Sequence, residues 1–252
     1  MKRLILLTLS VLIPIATTPA QKKPGSPTDV VVSFYRELRE KHYVEGFRHS
    51  VYRGAVEGLT VVELQDLEPD FARTFSAIPD KIEPGNQEVS GETATVSLKF
   101  EGVEEVQKVS LVRVGNEWLV GDKETLGLVN SQGRSFFFNA RMLVNEGEAY
   151  EMLQRIIGAE VIYSRKFEGR NASLQELIRL GGIPKDIEDG EASGYRFSLV
   201  LSADEKSFFA TAVPTSYGKT GKISFYGDLS GVRGEDLRGQ QATVKSKVYL
   251  PK

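Results

Sequence analysis

The chain has 252 residues, 40% hydrophobic and 26% charged, which is enough for two globular bodies with a core each and excludes a wholly disordered protein. Its formal charge of -2, made more negative if Lys2 and Arg3 leave with a leader, excludes a general affinity for nucleic acid or anionic membrane. Cys is absent, which removes disulfides, a thiolate metal site, a cysteine nucleophile and a lipoprotein anchor.

Met1 to Ala20 has the build of an export signal. Lys2 and Arg3 precede an apolar run from Leu4 to Ala16, and Thr18-Pro19-Ala20 offers small residues for cleavage after Ala20. The run is shorter than the about 20 apolar residues of a membrane span, and Pro14 interrupts it. Cleaved or kept as an anchor, the segment places the remainder outside the cytoplasm, in the periplasm or beyond the cell. Gln21 to Pro27 follows as a polar linker.

Asp29 is placed to cap a first helix in which Val30, Phe34 and Leu38 recur, with Val31, Tyr35 and His42 alongside and Gly46 as its end or a turn. Thr60 and Glu63 form a capping box ahead of Leu64 and Leu67. Pro69 predicts a break, with a second short helix carrying Phe71 and Phe75 inward and closed by Pro79. The period then changes to alternation. Ala94, Val96, Leu98 and Phe100 share one face of a strand, and Val106 to Val114 and Trp118 to Val120 are two more, joined by the hairpin pair Gly115-Asn116. An earlier strand falls near Ile82 to Val89.

Helices followed by a curved antiparallel sheet that ends in VGNEWLVGD resemble the nuclear-transport-factor-2-like, cystatin-like cone superfamily over residues 28–123. That resemblance implies a cone whose mouth can hold an apolar ligand, lined here by Tyr35, Phe71, Phe75 and Trp118. It also implies that an isomerase or hydrolase remains among the alternatives.

Residues 124–139 read as a connection, poor in periodicity, with Gly127, Asn130, Ser131 and Gly133. The longest helical pattern follows, with Leu143, Ala149, Leu153, Ile156 and Ile157 on its apolar face. Asn145 and Glu148 either cap a new helix there or lie within a longer one. Ser173 and Glu176 open a short helix that Gly181 stops. Tyr195, Phe197, Leu199 and Leu201 alternate. Phe208, Ala210 and Ala212, or the opposite set Phe209, Thr211 and Val213, give the next strand, and Ile223 and Phe225 a third. Pro214 to Gly221 is a loop and Asp228 to Gly231 a turn.

The runs NEGEAYEMLQRIIGAEVIY, SLQELIRLGGIP, SGYRFSLV and AVPTSYGKTGKISFYGDLSGVRGEDLRG are similar in order and wording to the globular heads of type IV pilin-like proteins and type II secretion pseudopilins. The likeness covers residues 140–241 and leaves 242–252 as a tail. It implies a helix packed across a small antiparallel sheet. The family's long apolar N-terminal stem has no counterpart here, because a soluble domain stands in its place and Phe136 to Phe138 supplies only three aromatics. The fold class expected for the whole is α+β in two bodies.

Among the groups capable of chemistry, His42 and His49 would share a face only on an unbroken helix, which Gly46 opposes, so no metal site is expected from them. Asp66 and Asp70, with Glu63 and Glu68, form an acidic cluster that could share acid-base work if buried, and otherwise a solvated face. Asp228, Glu235 and Asp236 sit in Gly-rich turns where the pseudopilin resemblance implies a calcium loop, without the regular oxygen spacing of one. SYGKTG at residues 216–221 stands between strands and is no phosphate loop, and Asn171-Ala172-Ser173 is a glycosylation sequon. The sequence implies no cofactor. The function expected is a non-catalytic binding or interaction module with envelope or secretion-system partners. The alternatives are a carrier or sensor of an apolar ligand in the cone, and an enzyme.

Overall fold

A computed structural model describes residues 25–76 and 78–251. The segment read as an export signal and most of the linker after it lie outside the described residues.

Ser26 caps the first helix, α1 (Pro27–Arg39), through a reciprocal box with Asp29, and Pro27 occupies its first turn. Asp29 is thus the third helical residue rather than the cap expected for it. Val31, Phe34 and Leu38 are its buried stripe. The chain turns at Lys41, whose φ is 62°, into α2 (Tyr43–Arg48). Gly46 is inside α2 rather than at a stop, because there the helix crosses α1 so closely that a Cβ would lie 2.8 Å from Leu38 Cδ2.

After α3 (Arg53–Val56), the predicted box of Thr60 and Glu63 opens α4 (Val61–Thr74). Pro69 does not divide α4, which runs on past it and buries Leu67 and Phe71 on one side. Tertiary packing of that face offsets the one backbone hydrogen bond Pro69 cannot make.

Four strands follow as an antiparallel meander in sequence order: β1 (Ile82–Ser90), β2 (Thr93–Phe100), β3 (Gln107–Val114) and β4 (Glu117–Val120). Val114 pairs with Glu117 across the expected Gly115-Asn116 turn. Ala94, Val96 and Leu98 of β2 and Val109 and Leu111 of β3 face the helices, and a first core closes around them with Phe34, Phe47, Leu67 and Phe71.

The connection after β4 is itself helical. Asp122 caps α5 (Lys123–Gln132), a 3-10 turn covers Gly133–Ser135, and α6 (Phe136–Lys166) begins at once. At 31 residues α6 is roughly 46 Å long. Its first turn belongs to the first core through Phe137 and Phe138, and its middle belongs to a second core through Ala149, Leu153 and Ile156. Asn145 and Glu148 lie within this continuous helix. Leu143, expected on the buried face, is exposed, and Asn145 takes the inward place because its amide donates to the Thr220 carbonyl at 2.9 Å.

The second core rests on a five-stranded antiparallel sheet in sequence order: β5 (Glu191–Ala192), β6 (Tyr195–Leu201), β7 (Phe208–Pro214), β8 (Ile223–Asp228) and β9 (Gly231–Asp236). Phe208, Ala210 and Ala212 are the buried alternating set of β7, and the two alanines let α6 come close. Strand β9 replaces the turn expected around Glu235 and Asp236. Its apolar alternation is hidden because Gly234 stands where Phe225 and Tyr249 leave no room for a side chain. The tail beyond residue 241 packs rather than trailing, with Val248 bridged to Arg233 and Tyr249 edge-on to Phe225. Mixed α+β architecture, with two cores and two antiparallel sheets, is the result.

Candidate binding groove

The last three turns of α6 carry apolar groups on more than the face that meets the sheet. Ile156 is buried inward, while Gly158, Ala159, Ile162 and Tyr163 turn toward α7 (Leu174–Arg179). Ser173 caps α7 by accepting from Glu176 N, and Gly181, at φ 74°, lets the chain leave the helix and fold back. Gly182 then passes α6 so near that a Cβ would lie 3.3 Å from Ala159 Cβ.

Between the two helices lies a groove of about 460 Å³. Gly158, Ala159 and Gly182 form a shallow floor, Ile162, Tyr163 and Phe167 one wall, and Leu177 and Leu180 the other. Tyr163 and Phe167 stack with ring centroids 4.2 Å apart, which stiffens the first wall. Three of these side chains stand open to water together, with Ile162 58% exposed, Leu180 50% and Phe167 44%. Arg155 stands at one end and Lys166 at the other, and past Arg155 the groove continues into a hollow lined by Arg179 and Lys185.

Glu160 holds the two helices in register from below. It is fully buried, and its Oε2 accepts from Ala172 N at 3.0 Å, fixing the chain just before the α7 cap. The other oxygen, Oε1, has no protein partner. Burial pushes its carboxyl up to about 7 against the opposing pull of the Ala172 hydrogen bond.

Of the residues expected to line a cone mouth, Phe71 is buried in the first core, and Tyr35, Phe75 and Trp118 are half-buried against it. Tyr35 packs edge-on to Phe34 and Phe100, Phe71 is buried against Tyr43, Phe47 and Phe137, and Phe75 meets Phe47. Trp118 lies under the Arg113 guanidinium at 5.7 Å. A larger hollow of about 610 Å³ opens beside Phe100, where Lys81 and Lys99 are answered by Glu83, Glu101 and Glu104, so it favours neither sign of ligand.

His42 and His49 stand at opposite ends of α2, as its two flanking caps. His42 instead joins Glu37 and Glu40, with potential ligand atoms all within 4.8 Å of one another. That trio is largely solvated, and Arg36 already pairs with Glu37 at 2.8 Å. Asp66 and Asp70 are brought together, but around Arg141 and Lys219 rather than a cavity. Asp228 and Asp236 fall at opposite ends of the β8–β9 hairpin, where Asp228 accepts from Ser230 and Asp236 from Tyr217 and Arg238. They do not converge on one ion. The Asn171 side chain of the sequon is buried and donates to the Glu205 carbonyl at 3.0 Å.

No family model, curated protein or solved structure matches this chain. The groove was not singled out from the sequence, where the apolar face assigned to the helix ends at Ile156 and Ile157. The available signal is the run Arg155 to Tyr163, whose apolar residues surround the helix more widely than one packed face requires. No helix among the described residues is long and apolar enough to cross a membrane.

Proposed function

We propose that the protein is a non-catalytic binding protein of the bacterial cell envelope, exported by its leading segment, and that the α6–α7 groove is its working surface. One observation carries this: Ile162, Phe167 and Leu180 stand open to water together around a single concavity, an apolar lining of the kind that ligand clefts carry. The similarity of residues 140–241 to pilin and pseudopilin heads supports it, since a head without its polymerising stem keeps a surface but loses its route into a filament. It also names envelope or secretion-system proteins as neighbours. The aromatic filling of the first core favours the groove over a carrier site within the cone. The engagement of Asp66 and Asp70 with Arg141 favours binding over acid-base catalysis.

A dye whose emission rises in apolar surroundings tests the proposal. Wild type should take it up saturably, and a double variant Ile162→Asp, Leu180→Asp should lose that uptake while keeping its circular dichroism and melting profile. Undiminished uptake by the folded double variant would contradict it.

A further inference from the structure

Groove and hollow together present basic side chains and no carboxylate. Arg155, Lys166, Arg179 and Lys185 line them, and only Arg179 is paired, with Glu176 at 2.6 Å. Arg155 and Lys185 have no side-chain hydrogen bond or ion pair among the described residues. Unpaired cations thus stand at both ends of an open apolar groove.

From this we infer that the groove takes a single acyl chain ending in a carboxylate, a free fatty-acid anion. The inference rests on the groove being the working surface. The alkyl chain lies along the Gly158, Ala159 and Gly182 floor between Ile162 and Leu180, and the carboxylate stands at the Arg155 end, where the polar hollow and Lys185 begin. Lys166 lines the far end with its methylene stem and keeps its ammonium in water.

The other occupants fit less well. A second copy would set cations against the same cations. The leading apolar segment of this chain carries Lys2 and Arg3 at its head and meets the same repulsion. A bilayer surface calls for a protruding apolar face, whereas this one is a cleft between two helices.

Calorimetric titration of the full chain with sodium dodecanoate below its micelle threshold tests the assignment, beside acetate and dodecyltrimethylammonium. One dodecanoate should bind per chain, acetate should give no heat, and the cationic amphiphile should bind at least tenfold more weakly. Arg155→Ala should weaken dodecanoate about tenfold, and Ile162→Asp should abolish it in a chain that still melts cooperatively.

Equal binding of the two amphiphiles, many ligands per chain, or dodecanoate binding untouched by Ile162→Asp would overturn the assignment. So would a silent titration, or a groove claimed instead by an acidic peptide or by a second copy. If the dye still binds saturably while dodecanoate fails, the ligand class falls and the groove stands. If both fail, the functional proposal falls with it.

Discussion

Arg141 of α6 donates through Nε to the Asp70 carboxylate of α4, 71 residues earlier in the chain. Its Nη1 reaches Asp66 at 3.1 Å, and its guanidinium lies 5.4 Å from the centre of the Phe138 ring. Lys219, from the loop between β7 and β8, closes on Asp66 from the second body at 3.3 Å. The acidic cluster thus ties α4 both to α6 and to the loop between β7 and β8. With its side chain only 10% exposed, Arg141 is the desolvated centre of that tie.

Arg141→Ala should cost roughly 2–3 kcal/mol, because it leaves two partly buried carboxylates facing each other, whereas Lys219→Ala, nearly half exposed, should cost under about 1 kcal/mol. Urea unfolding of the two variants measures the difference. Equal costs would show that the tie is an ordinary surface pair.

Glu160 gives the fold a pH dependence with a definite sign. Its carboxyl, at about 7 in the fold against 4.5 when free, stays protonated in the native state while the unfolded chain ionises. This contribution is therefore complete below pH 4.5 and is lost as pH rises through about 7, by up to about 3 kcal/mol. Glu160→Gln mimics the protonated form. Its stability relative to wild type should climb between pH 5 and 8 in paired thermal melts, and a difference that stays flat would place the Glu160 carboxyl near its ordinary value.

Gly221→Ala should destabilise by more than about 2 kcal/mol, since a Cβ there would lie 2.1 Å from the Tyr195 hydroxyl oxygen. Tyr195 cannot yield easily, being fully buried and donating to the Ile223 carbonyl at 2.8 Å. The double change Gly221→Ala, Tyr195→Phe should recover part of the loss by removing the clashing oxygen. No recovery would place the cost in the ring carbons Cζ and Cε2, which the added Cβ would still meet at 2.6 and 2.8 Å, rather than in the hydroxyl.

How far the sequence spoke depended on whether the stabilising contacts were local. Thr60 with Glu63, Gly115-Asn116, Ser173 and the alternation of Ala94, Val96 and Leu98 act within a few residues of themselves and were legible. Gly46, Pro69 and Gly234 misled, because each reads as a break in isolation and is tolerated only through packing against Leu38, the first core and Phe225. Asp66 and Asp70 were recognised as a cluster, but their partner Arg141 is distant in sequence. The groove was illegible for the same reason: Ile162 and Leu180 come to line one hollow only when α7 folds back beside α6.

Amide hydrogen exchange of the full chain, with and without saturating dodecanoate, reports where a ligand sits without presupposing the place. Protection should appear in residues 155–167 and 177–185 and leave the first body unchanged. Protection centred on the sheet of the first body, or spread evenly over both, would contradict the assignment of the α6–α7 groove as the surface on which this protein works.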